Sequence, residues 1–233
     1  MTQELLASWG VEFDAIDVAG NPEAVEELAR LGVPYVPAVA YGGKIVHGWN
    51  PAGTAQLLGV AYSGVPALTP RQLAQRMDAI LAAIQAWLRV TPAALLTLEG
   101  PGRRRALRDL AYHAFRLSAA FVDALEDDGL QYAWLQEQAP AAVRTGADLA
   151  ACGDAVRVRV REWFAAHPSV AWQDPVWTYY GDQSAHELLE RTVWHGGQHL
   201  RQIHDLLSRA GVIPAQALDP ALLANLPMPK ALW

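Results

Sequence analysis

Apolar residues recur every three to four positions along four long stretches of the chain. Residues 70–90 carry Leu73, Met77, Ile80, Leu81, Ile84 and Leu88, and residues 103–126 carry Leu107, Leu110, Phe115, Leu117, Phe121 and Leu125. That spacing is the period of a helix with one buried face. Residues 144–166 form a third stretch, with Pro168 just beyond it, and residues 184–210 a fourth, stopped by Gly211. The fourth opens on Ser184-Ala-His-Glu187, a capping box in which Ser and Glu satisfy each other's free backbone donors. Four such helices predict a four-helix bundle. The connections 127–143 and 168–183 are too long for a plain series of helical hairpins. The Pro- and Leu-rich tail, 214–233, is expected to lie along the bundle surface.

The first sixty residues follow a different rhythm. Residues 4–9 read as a helix ended by Gly10, and residues 11–18 alternate apolar with polar, the pattern of a half-buried strand. Asn21-Pro22-Glu23 begins a helix that ends at Gly32: a capping Asn, Pro at the first helical position, then an acid. Residues 36–41 and 44–47 read as two strands around the Gly42-Gly43 turn, and Asn50-Pro51 starts a short helix ending near Gly59. The loop-like residues 61–69 mark a boundary. The expected organisation is a small α/β domain over 1–60, a linker over 61–69, and a helical domain with its tail over 70–233.

Composition narrows the function classes. With 52% hydrophobic and 18% charged residues the chain has material for a packed core, which excludes a disordered protein. No apolar run approaches the ~18 residues of a membrane span. Met1-Thr2-Gln3-Glu4 lacks the basic start and apolar core of a secretory signal, so a cytoplasmic location is expected, with no membrane partner. The net charge of −6 disfavours a grip on nucleic acid. Arg103-Arg104-Arg105 and Arg108 then read as a solvated helix start rather than a phosphate-binding patch. The single cysteine, Cys152, excludes an internal disulfide and a multi-cysteine metal site, and reads as a small buried hydrophobe.

Candidate chemistry centres on histidine. His195 and His199, in Trp194-His195-Gly-Gly-Gln198-His199, lie one turn apart on a helix face, so both imidazoles can reach one metal ion. The two glycines between them cost about 1 kcal/mol each relative to Ala, which predicts close approach of a neighbouring helix or ligand. His113, mid-helix in Leu110-Ala-Tyr-His113-Ala-Phe, is the best third ligand. The other histidines fit less well: His186 stands near a helix start and is expected to be solvated, His204 falls one residue off the stripe, His167 precedes Pro168, and His47 sits in the small domain.

The helical part resembles the DinB-like superfamily over about residues 70–210. The resemblance rests on the four helices, the mid-helix His113, and the His-x-x-x-His-x-x-Gln pattern of His195, His199 and Gln202. It implies an up-down-down-up bundle and a three-histidine site of His113, His195 and His199 holding a divalent metal, zinc or nickel. It also implies, for some members, thiol S-transferase activity with a low-molecular-weight thiol as co-substrate, and often a homodimer. A thiol beside such a cation loses its proton more readily. Arg191, one turn before His195, is a candidate for a substrate carboxylate, or equally a surface ion pair with Glu187. Trp177, Tyr179 and Tyr180 are candidate pocket walls or plain core. Glu187, Glu190 and Asp109 are candidate partners for the imidazoles.

Residues 4–60 resemble a glutaredoxin-like thioredoxin fold, in Val33-Pro34-Tyr35-Val36-Pro37 and the closing Gly48-Trp49-Asn50-Pro51. The resemblance implies a cis peptide at Pro37 and a thiol-contacting surface at Val36 and Pro37. The family's first strand and Cys-x-x-Cys motif are missing from the sequence. Either the module has lost its redox chemistry and serves for docking, or Met1 is an internal start; the unpaired sheet flank favours the second. The fold expected is therefore α+β and two-domain: a partial thioredoxin/glutaredoxin-like α/β domain followed by an all-α DinB-like four-helix bundle. The expected function is a metal-dependent enzyme acting on a small-molecule thiol and an electrophile, with no catalytic side chain identified. The alternative is a non-catalytic, stress-related metal- or thiol-binding module.

Overall fold

The structure, a computed structural model, describes residues 2–18, 20–34, 36–62, 66–101, 105–127, 129–213 and 217–232. It divides into two compact units, Met1–Val65 with Tyr179–Asp182, and Pro66–Thr178 with Gln183–Trp233.

The first unit contains α1 (Thr2–Ser8), α2 (Pro22–Arg30), an antiparallel hairpin of β1 (Ala38–Tyr41) and β2 (Lys44–His47), and α3 (Pro51–Leu58). Asn21 and Asn50 cap α2 and α3, each accepting a bond from a first-turn backbone N–H, with proline at the first position of both helices. The hairpin pairs Ala38 with His47 and turns through Gly42 and Gly43, both at positive φ, as a tight two-residue turn requires. The Val36–Pro37 peptide is cis. One expectation fails. Residues 11–18 form no strand; they run without a ladder, and Phe13 and Ile16 are 40% and 71% exposed. Alternation supplies a face for a strand, but a strand also needs a hydrogen-bonding neighbour. Among the described residues β1 and β2 pair only with each other.

The second unit is built on α4 (Pro70–Arg89), α5 (Leu107–Glu126), α6 (Gly146–Ala166) and α7 (Ala185–Arg209), with a short hairpin of β3 (Pro175–Val176) and β4 (Gln183–Ser184) before α7. Helices α4 and α5 each pack along both α6 and α7, but touch each other only marginally. The order around the bundle is therefore α4–α6–α5–α7. The successive pairs α4–α5 and α6–α7 are each diagonal, which is why the connections 90–106 and 167–184 are long. The core contains the predicted stripes of α4 (Leu73, Ile80, Ile84) and α5 (Phe115, Phe121), and Leu149 and Val160 of α6 with Leu188 and Ile203 of α7 are buried against them.

Capping fixes the helix starts. Thr69 with Gln72, Thr145 with Asp148, and Ser184 with Glu187 each form a reciprocal capping box. Helix α5 begins at Leu107 rather than at 103. Leu107 N donates to Leu98 O at 2.7 Å, and Ala106 bridges Glu99, so the approach to the helix is extended. Arg103 and Arg104 lie outside the described residues, while Arg108 donates to the carbonyls of Ala139, Pro140 and Val143 (2.6, 2.6 and 3.0 Å) and clamps the α5–α6 connection.

Helix α6 approaches its neighbours through glycine. A Cβ at Gly146 would collide with Leu88 O, and one at Gly153 would sit 2.6 Å from the Phe115 ring. Buried polar groups tie the same helices. Gln85, fully buried on α4, donates to Ala150 O and Asp154 Oδ1 (both 2.7 Å) and accepts from Arg157, which also forks onto Asp78 at 2.8 Å. The tail lies on the bundle, with a 3₁₀ turn at Pro220–Leu223 and Leu226 buried.

Candidate metal centre

Three of the seven histidines meet inside the second unit. His113 is carried mid-way along α5 among buried Leu110, Ala114 and Leu117, which turns its face of the helix inward. His195 and His199 come from α7, one turn apart. Helices α5 and α7 are packed neighbours, so the rings converge. The centroids of His113 and His199 are 5.1 Å apart, those of His113 and His195 5.8 Å, and those of His195 and His199 4.7 Å. One nitrogen from each ring lies within 4.8 Å of one from both others. His113 and His199 are 6% and 7% exposed, while His195 is half-buried.

The donor set fits a metal ion. Nitrogens held about 2.0–2.1 Å from a tetrahedral ion are roughly 3.4 Å apart, so small side-chain rotations close the trio onto one. Three neutral imidazoles and no thiolate match a site that keeps a position open for water or substrate.

Gln202, one turn beyond His199, has its Oε1 2.8 Å from His199 Nδ1. It is a polar partner of this imidazole that the sequence reading, with its candidate carboxylates, did not name. Glu187 is engaged with Ser184 in the capping box. Asp109 accepts from Arg108 and from the Ala139 amide, each at 3.3 Å. The Glu190 carboxyl is pushed up by burial, against the lowering effect of a backbone bond from Ala67. The two helical glycines have separate explanations. A Cβ at Gly197 would meet Leu223 at 2.8 Å and Met228 at 3.5 Å, so this glycine admits the tail, whereas a Cβ at Gly196 would meet only Ile80, at 3.8 Å.

The other predicted residues are distributed as follows. Arg191 is half-buried on α7, one turn before His195, and Trp177 is 49% exposed on β3's flank. Tyr180 is buried in the first unit, where its ring lies against Gly48. Val36 is 51% exposed at the cis Pro37 peptide, in the first unit. His186 is not solvated: it is 7% exposed and its Nε2 lies 2.8 Å from Leu68 O. His204 meets the Trp87 ring edge-on at 5.0 Å, and His167 stacks on Trp163. Cys152 is half-buried on α6, with burial pushing its thiol up and so away from the reactive thiolate.

Comparison with known proteins is consistent with two unlike parts. Residues 1–46 match the Glutaredoxin family. None of the curated proteins matches the chain in sequence. Among solved structures the chain is similar to YfiT from Bacillus subtilis, described as a probable metal-dependent hydrolase with an unusual four-helix bundle topology. The TM-score is 0.51 at 15% identity, over 66% of this chain and 96% of that one, a likeness of fold alone. The chain is thus α+β, a glutaredoxin-like segment followed by a four-helix bundle. No helix among the described residues is long and apolar enough to cross a membrane.

Proposed function

We propose that this is a metal-dependent enzyme in which His113, His195 and His199 hold a divalent ion, zinc or nickel, for the activation of a low-molecular-weight thiol or water. The observation that carries this reading is the convergence of three imidazole nitrogens from two helices to within 4.8 Å. Such an ion supplies Lewis acidity, which lowers the pKa of a thiol or water beside it.

The chain's own residues supply the rest. Burial of His113 and His199 limits competing water, and half-buried His195 marks the side from which a small molecule enters. Gln202 holds the His199 ring. Arg191, a turn from His195, is assigned to a carboxylate of the substrate, and exposed Trp177 to its apolar part.

Thiol transfer is favoured by the DinB-like pattern and by the glutaredoxin match on the same chain. In that reaction a sulfur–carbon bond forms as the bond from carbon to the leaving group breaks, and the thiol proton ends on the leaving group. The description of YfiT favours a second reading, hydrolysis, in which water takes the place of the thiol. Protein reconstituted with zinc or nickel is assayed against small electrophiles with and without mycothiol, bacillithiol or glutathione. Metal-dependent thiol consumption matched to product is expected. Product formed equally without thiol favours hydrolysis, and no turnover under either condition contradicts an enzyme.

A further inference from the structure

We propose that Gln202 is a positioning residue whose orientation is set by the C-terminal tail, so that the backbone of residues 231–232 holds His199 in the tautomer that can ligate a metal. The inference rests on the metal reading only for its effect on affinity.

Heavy-atom positions leave open both the orientation of a glutamine amide and which nitrogen of a histidine carries the proton. Here a backbone carbonyl decides both. Gln202 lies between two groups: His199 Nδ1 at 2.8 Å and Leu232 O at 2.9 Å. A carbonyl oxygen only accepts, so the amide nitrogen, Nε2, must face Leu232. Gln202 Oε1 therefore faces His199 and needs a donor there, which places the proton on His199 Nδ1. The lone pair is left on Nε2, the nitrogen available to the trio.

The tail is anchored independently of Gln202. Gln198 Nε2 donates to Ala231 O at 3.1 Å and Leu232 O at 2.6 Å. Arg201 Nη1 donates to Pro229 O at 2.7 Å and to Gln198 Oε1 at 2.9 Å. Its Nη2 reaches Lys230 O at 3.5 Å. Residues 198, 201 and 202 share one face of α7, so one helical stripe grips four successive carbonyls. Gly197, on the adjoining turn, leaves room for Leu223 and Met228 to seat the segment leading there. Leu226 is 8% exposed, as expected of a tail docked by packing as well as by hydrogen bonds. A relay thus runs from the tail backbone through one amide to one ligand.

The test uses metal-free protein labelled with ¹⁵N-histidine, read by long-range ¹H–¹⁵N correlation at about pH 8, where an ordinary histidine is neutral. Wild-type His199 is expected as the Nδ1–H tautomer. Gln202→Leu should lose that preference, and so should deletion of residues 231–233. Gln202→Glu should keep it, because a carboxylate still accepts from Nδ1–H although it no longer donates to Leu232. Zinc titration is expected to show about 10–100-fold weaker binding for Gln202→Leu, with Gln202→Glu close to wild type at His199. An Nε2–H tautomer in the wild type, or an unchanged tautomer in Gln202→Leu, overturns the proposal. An unchanged tautomer in a folded 231–233 deletion overturns the tail's part in it. Should the deletion not fold, the two Gln202 variants still decide. A wild type with the expected tautomer but no zinc affinity contradicts the metal reading and leaves the relay standing.

Discussion

The same substitution at two helical glycines should move stability in opposite directions. Gly153 and Gly196 both lie inside long helices, and replacement by Ala gains each helix roughly 1 kcal/mol in propensity. The surroundings differ. At Gly153 the new Cβ would stand 2.6 and 2.7 Å from two atoms of the Phe115 ring and 3.0 Å from Gln85 Cγ. Phe115 is 1% exposed and its ring is rigid, so it cannot yield without shifting α5 against α6. Overpacking of that kind costs about 1–3 kcal/mol, which outweighs the propensity gain and leaves a net loss of about 1 kcal/mol. At Gly196 the Cβ would meet only Ile80 Cγ2 at 3.8 Å, an ordinary contact, so most of the gain survives. For a chain of this size 1 kcal/mol corresponds to about 2–4 °C in Tm. Thermal unfolding of metal-free protein, followed by far-ultraviolet circular dichroism, should therefore show Gly153→Ala about 2–4 °C below wild type and Gly196→Ala about as far above. A double variant of Gly153→Ala with Phe115→Leu should be more stable than additivity allows, since the smaller side chain relieves the clash. A Gly153→Ala protein as stable as Gly196→Ala would refute the close α5–α6 approach, and with it the placement of His113 two residues before Phe115.

Three further outcomes are expected. The Asp78 carboxyl is held below the usual range by the hydrogen bond from Arg157, with partial burial opposing. Its contribution is present above the unfolded value of about 3.9 and is lost as pH falls through the lowered folded value. Urea midpoints should thus fall less steeply below about pH 5 in Asp78→Asn than in wild type, and parallel curves would contradict the pairing. Ser184→Ala removes the capping box of α7 and should cost about 1 kcal/mol in urea unfolding; no change would show the cap to be idle. His186→Leu leaves Leu68 O without the imidazole and should cost about 1–3 kcal/mol, with an unaltered midpoint counting against the buried bond.

The helical half was legible because its signals are local. The 3.6-residue period set which faces of α4 and α5 are buried, and Ser184 with Glu187 set where α7 begins. The convergence of His113, His195 and His199 was anticipated from one helix stripe, one inward position and a family pattern. What was not legible depended on partners distant in sequence. Residues 11–18 alternate as a strand should, but pairing belongs to a neighbour and not to the segment itself. His186 sits at a helix start, where exposure is usual, and is covered by the residues before α4. Arg108 belongs to a basic run in sequence, and only the fold brings the carbonyls of the α5–α6 connection around it. Gln202 was visible as a motif residue, but its role requires residue 232, which pattern alone does not bring to α7. Tyr180 reads as a wall beside the helix it precedes, and its ring lies instead against Gly48.

Metal content tests the central claim most directly. Protein purified without chelator, or loaded with zinc or nickel and desalted, is measured by elemental analysis beside His113→Ala, His195→Ala and His199→Ala, each checked for helical content. The account predicts about one divalent ion per wild-type chain and a marked loss in all three variants. A folded wild type that retains no ion, or variants that load as fully as wild type, would contradict it.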